Sequence, residues 1–167
     1  MSIENILRSA PVVPVVVIDD LADAVPLAQA LYNGGLRALE ITLRTPVAAQ
    51  AVKLMKQALP DAYVGTGTVI NRETFEASIE AGADFMVSPG VNDELLALAA
   101  NCDTPFLPGA ATPSEVMKLA AHGFKFLKFF DNGVTDEEIP KTICLFKIFP
   151  LLKSFTQIEA AAALFNE

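Results

Sequence analysis

Cysteine is scarce in this chain: Cys102 and Cys144 are the only two among 167 residues, beside a single histidine, His122. Two thiols are too few for a disulfide framework, and with one imidazole they cannot complete a His/Cys metal site of structural type. Reduced thiols are expected. Basic residues are also few, 12 Lys plus Arg against 20 Asp plus Glu, for a net charge of −8. No Lys/Arg run occurs, which argues against nucleic acid and anionic membrane as partners. Nothing reaches the ~18 consecutive apolar residues that a membrane-spanning helix needs. The opening MSIENILRSA carries an acid and no long apolar stretch leading to a small-residue cleavage site, so no secretory leader is expected and the cytoplasm is the default compartment. A small anionic ligand stays open, because a local basic pocket does not require a basic protein.

What is present is apolar and periodic. Hydrophobic residues make up 52% of the chain against 19% charged, enough for a sizeable core in one soluble domain over residues 1–167. Short β-branched or aromatic runs alternate with Ala/Leu-rich stretches of helical spacing, the pattern of βα units in a parallel sheet. The expected strands are Val12–Ile18, Ala38–Leu43, Tyr63–Val69, Phe85–Ser88, Pro105–Leu107 and Phe124–Phe130. They recur every ~20–25 residues, more compact than the ~31 residues per unit of a ~250-residue eight-fold barrel. Thr45-Pro46 and Thr112-Pro113 each read as a hydroxyl N-cap with proline at the first helical position, and Thr112 with Glu115 as a capping box. Asn71 and Asn92 read as further caps, and Gly34-Gly35, Gly82 and Gly123 as helix stops. His122, before a stop, suits the negative end of a helix dipole and is given no catalytic role.

After Asp131 the rhythm fails, and residues 131–167 are too few for the two further βα units of an ordinary closure. This stretch reads either as two helices, from about Thr135 and about Leu151, or as a seventh strand over Thr142–Phe149 with a helix behind it. The expected fold is therefore an α/β, TIM-type parallel barrel with six clear βα units and strands seven and eight missing or altered.

Two strands carry polar side chains that a barrel must turn inward. On the second, Leu39, Ile41 and Leu43 alternate with Glu40, Thr42 and Arg44. If the apolar face packs on helices, Glu40 and Arg44 face the interior near the C-terminal end, where barrel active sites sit. An interior Glu40–Arg44 salt bridge, or a solvated edge strand, is the competing reading. On the sixth, Lys128 shares parity with Phe124, Phe126 and Phe130. A buried ammonium tends to lose its proton, and a neutral amine is the nucleophile that Schiff-base chemistry on a ketone requires. The competing reading has Lys128 snorkel to the rim. Gly65-Thr66-Gly67-Thr68-Val69 offers glycines that let a ligand approach and two hydroxyls on one face. Ser88-Pro89-Gly90 and Pro108-Gly109-Ala110 end the next two strands. Singly each is a turn; together, around one mouth, they favour a small-molecule pocket.

The segments PVVPVVVI, GGLRALEITLRT, VGTGTVIN, EAGADFMVSPG, FLPGAATPSE and LKFF resemble those of the bacterial 2-keto-3-deoxy-6-phosphogluconate (KDPG) aldolases, including the bifunctional 4-hydroxy-2-oxoglutarate aldolases, over about residues 5–130. The resemblance implies that Lys128 is the Schiff-base lysine and Glu40 the proton-shuttling carboxylate. It implies that Arg44 and Thr68 hold the carboxylate of a small 2-keto acid, with Pro89 and Phe130 completing the substrate-binding set. It also implies a homotrimer of eight-stranded βα barrels that uses no metal or organic cofactor. Beyond Phe130 the chain departs from that pattern: Lys128-Phe129-Phe130 runs into Asp131-Asn132-Gly133, and the glycine-rich loops that bind phosphate in the family have no counterpart in residues 131–167. The function expected is a class I aldolase that cleaves such a substrate to pyruvate and an aldehyde. The alternative is a catalytically impaired barrel remnant serving as an oligomeric scaffold.

Overall fold

The computed structural model describes residues 1–9 and 12–129. Phe130, Cys144 and both readings of residues 131–167 lie outside them. Five strands, β1 (Val15–Val16), β2 (Ala38–Thr42), β3 (Tyr63–Gly67), β4 (Met86–Val87) and β5 (Phe106–Leu107), form one parallel sheet in chain order. A second parallel pair joins β6 (Gly109–Ala110) to β7 (Lys128–Phe129). β6 continues β5 past Pro108, which has no N–H to give the ladder, although its carbonyl accepts from the Lys128 N–H at 2.8 Å. The helices between are α2 (Leu21–Asn33), α3 (Ala48–Ala58), α4 (Arg72–Glu80), α5 (Asp93–Ala100) and α6 (Pro113–Ala121), with α1 (Ile3–Arg8) ahead of β1.

The punctuation works largely as the residue types dictate. Asn71 and Asn92 accept from the third helical N–H of α4 and α5, and Thr112 with Glu115 forms the reciprocal capping box of α6. Gly35, Gly82 and Gly123 take positive φ just past α2, α4 and α6. Thr45 is a correction. Its hydroxyl donates to the Ile18 carbonyl at the end of the β1 segment, and α3 begins at Ala48 behind Val47 with no side-chain cap. The first strand is also shorter than expected, since Pro14 cannot donate. Val12, Val13 and Ile18 are buried all the same.

Side-chain alternation builds two layers. Leu39 and Ile41 pack outward on Ala24 and Ala28 of α2 and on Ala51, Val52 and Met55 of α3. Ala38, of opposite parity, faces inward with Val13, Phe85, Val87, Leu107 and Phe126, and Ile6 and Leu7 of α1 close that cluster. This inner cluster forms an apolar floor. The last strand departs from simple alternation: Phe124 packs in the helix layer, edge-on to Phe106 and near Leu119, because residues 124–127 precede the ladder. Phe124 therefore does not share the Lys128 face, whereas Phe126 does.

Candidate active site

Two residues above the floor on each of two distant strands come Glu40 and Lys128. Ala38 and Phe126 belong to the floor, and the period of two carries the next inward side chain on each strand toward the mouth. They meet across the interior: Lys128 Nζ donates to Glu40 Oε1 at 3.4 Å and Oε2 at 3.5 Å. Glu40 is 1% exposed and Lys128 7%, so the lysine does not snorkel. Loss of water pushes the Glu40 carboxyl above its usual 4.5, and this outweighs the opposing pull of Lys128 and, more weakly, of Arg44. The contact is longer than the 2.7–2.9 Å of a tight charge-assisted bond. Glu40 thus stays within proton-transfer reach of the amine without clamping it.

Arg44 does not pair with Glu40. It stands exposed just past β2, and its Nε donates to Thr68 Oγ1 at 3.2 Å. Thr68 gets there against the strand's alternation. β3 is in register with β2 so that Gly65 sits opposite Glu40 and Gly67 opposite Thr42, which assigns Thr66 and Thr68 to the outer face. Thr66 stays there, its hydroxyl donating to Ser78 of α4 at 2.7 Å. Thr68 adopts φ 61° and turns toward Arg44. The expectation of two hydroxyls on one face is corrected: one ties the strand to a helix, the other reaches the mouth.

Pro89 is exposed in the turn after β4, and its carbonyl lies where a side chain on Gly109 would stand. The strand glycines are approached by the protein itself. A Cβ on Gly65 would meet the Phe85 ring, and one on Gly67 would meet the Glu40 carboxyl. Sequence reasoning saw these glycines as room for a ligand and missed the one that accommodates Glu40. It also passed over Thr42, buried with its hydroxyl on the Val16 carbonyl. Its signal was parity with Glu40.

The KDPG and KHG aldolase family matches residues 3–152, a span that holds Glu40 on β2 and Lys128 on β7. The chain belongs to this family. It is 47% identical over 129 residues to a 2-dehydro-3-deoxy-phosphogluconate aldolase of Dickeya dadantii and 46% identical over 129 residues to a KHG/KDPG aldolase of Escherichia coli, in each case 77% of this chain and 61% of the relative. Among solved structures, the KDPG aldolase of Legionella pneumophila with pyruvate captured as a covalent carbinolamine is 45% identical, with a TM-score of 0.73 over 75% of this chain and 61% of that one. A Zymomonas mobilis 2-keto-3-deoxy-6-phosphogluconate aldolase covers 99% of this chain and 72% of that one at 37% identity and a TM-score of 0.77. The chain thus spans about 61% of the length of the curated relatives it matches. These neighbours give the KDPG and KHG family chain its TIM-type fold. Among its described residues, no helix is long and apolar enough to cross a membrane.

Proposed function

We propose that the protein is a class I aldolase that reversibly cleaves a 2-keto-3-deoxy acid, of the KDPG or 4-hydroxy-2-oxoglutarate type, to pyruvate and an aldehyde. The observation that carries this is the buried Lys128–Glu40 pair at 3.4 Å. In this reading the Lys128 amine attacks the C2 ketone, and Glu40 relays the protons that let the carbinolamine lose water to an iminium. Glu40 then takes the proton of the C4 hydroxyl. The C3–C4 electrons flow into the iminium as the bond breaks, the enamine is protonated at C3, and water releases pyruvate. A carboxyl held above its usual pKa suits such shuttling, which is worth ~10²–10⁴-fold in rate. Arg44 supplies a guanidinium for the substrate carboxylate and Thr68 orients it; by the family resemblance Pro89 and Phe130 complete the substrate-binding set.

A scaffold would have no use for this pair, since apolar residues of similar volume are commonly as stable or more so. By the family resemblance the protein works in the cytoplasm, in carbohydrate catabolism of the Entner–Doudoroff kind, as a homo-oligomer on a trimeric plan. Borohydride added with pyruvate tests the reading: a covalent mass on the full chain, mapped to the Lys128 peptide, is expected. An unmodified chain would refute it.

A further inference from the structure

We infer that Gly67 is a positioning residue of this site: the missing side chain there sets where the Glu40 carboxyl lies, and so which proton transfers it can serve. The inference rests on the aldolase reading of Lys128 and Glu40. A Cβ on Gly67 would stand 2.0 Å from Glu40 Oε1, 2.7 Å from Cδ and 2.8 Å from Cγ. All three of these nearest atoms belong to one side chain. The backbone itself would accept alanine, because the left-handed glycines are Gly35, Gly82 and Gly123 and not this one. The nearest obstacle to a methyl group is Glu40.

Register shows what the space is used for. Glu40 lies opposite Gly65, and Gly67 opposite Thr42. The Glu40 side chain therefore leans one inward-facing level toward the strand C-termini, over Gly67, and from there meets Lys128. The other two inward glycines serve different neighbours. Gly65 makes room for the Phe85 ring, whose atoms lie 2.6 Å from an added Cβ, and Gly109 for the Pro89 carbonyl at 2.1 Å. Alanine at 67 would force the carboxyl off this position and away from the amine. Attack by Lys128 on a ketone survives that change, and the slower dehydration still reaches the iminium at end point; proton transfer at C3 loses its base.

Pyruvate alone separates the two steps. Imine formation is read by borohydride trapping. Exchange of the methyl protons with deuterated water needs a base: Glu40 takes a C3 proton, the C–H electrons become the C2–C3 double bond, the iminium π pair settles on nitrogen, and reversal delivers a deuteron. In the full chain, Gly67→Ala is expected to keep its trapped adduct while exchange falls by ~10²-fold, the low end for loss of a general base. Gly65→Ala, which crowds an apolar ring two residues away, is expected to keep the parental ratio of exchange to trapping. In a Glu40→Gln background Gly67→Ala should remove less than about twofold more, since both changes strike one group.

Stability supplies a second arm: Gly67→Ala should lower Tm in the parent and leave it unchanged in Glu40→Ala, where the three nearest colliding atoms are gone. Parental exchange in Gly67→Ala, multiplicative losses in the double variant, or an equal Tm penalty in both backgrounds overturns the inference. Failure of the parent to form an adduct instead overturns the aldolase reading, and the stability arm still decides the placement of Glu40.

Discussion

Thr68 holds φ 61°, a conformation that a β-branched residue adopts only as an outlier. Crowding between Cβ and the carbonyl there costs ~1–2 kcal/mol. Glycine would remove that cost, but its freer unfolded chain makes it ~0.5–1 kcal/mol less stable than alanine at an ordinary position. Subtracting one from the other reverses the usual order, so Thr68→Gly should be more stable than Thr68→Ala by ~0.5–1 kcal/mol. At ~2–4 °C per kcal/mol for a chain of ~150–250 residues, the separation in Tm is about 1–4 °C. Both variants lose the hydroxyl that accepts from Arg44 at 3.2 Å, so that loss cancels from the comparison. It reappears in function: both should need more pyruvate for half-maximal borohydride labelling. Thermal unfolding of the two variants beside the parent, with a pyruvate titration of labelling, measures both effects. Alanine equal to or above glycine in Tm would refute the strain argument, and unchanged half-saturation would refute a role for the hydroxyl in holding the keto acid.

Lys128→Ala should abolish trapping while Lys125→Ala, exposed and ahead of the ladder, should keep it; peptide mapping that finds label on Lys125 would reverse the assignment. Burial raises the Glu40 pKa above 4.5 in the folded chain, so its contribution to stability is full below the unfolded value and is lost as pH rises through the folded one. The Tm of the parent relative to Glu40→Gln should therefore fall as pH rises above the usual 4.5, each pKa unit being worth ~1.4 kcal/mol; a parent that gains on the variant as pH rises would show the wrong sign. Comparing kcat/KM for the 6-phosphorylated keto acid and for 4-hydroxy-2-oxoglutarate should reveal little preference for phosphate in this 167-residue chain, since glycine-rich turns that commonly hold phosphate have no counterpart after Gly133. A strong phosphate preference would locate those donors elsewhere.

The order of strand and helix was legible because it rests on period and punctuation, which are local. The parity of β2 alone separated Leu39 and Ile41 from Glu40, and parity again put Lys128 and Phe126 on one face. Three features were not legible, each because something non-local overrides alternation. Phe124 leaves the inner face because the chain has not yet entered the ladder. Thr68 leaves the outer face because one backbone torsion turns positive. Thr45 forgoes its helix because the Ile18 carbonyl lies within reach of its hydroxyl. The meeting of Glu40 with Lys128, 88 positions apart, was legible, because the alternation on each strand turns both side chains toward the same interior; only the partner of Arg44, Thr68 and not Glu40, needed the structure.

The two inner levels divide stability from chemistry. A TIM-type interior is ordinarily filled with branched side chains in layers, and the floor of Ile6, Leu7, Val13, Phe85, Val87, Leu107 and Phe126 follows that rule. Beside the polar residues the rule is broken: the wall positions in register with Glu40, Thr42 and Lys128 are Gly65, Gly67 and Gly109. Gly67 leaves the space that the Glu40 carboxyl occupies, while Gly65 and Gly109 accommodate the Phe85 ring and the Pro89 carbonyl. This arrangement lets Glu40 reach Lys128 from a distant strand. It also places them against a dry floor, which is why burial dominates the acidity of Glu40. A fold selected for stability alone would fill the level with apolar side chains. Truncations in the floor should therefore act on Tm through lost packing, while Gly67→Ala, against the Glu40 carboxyl, acts on proton transfer.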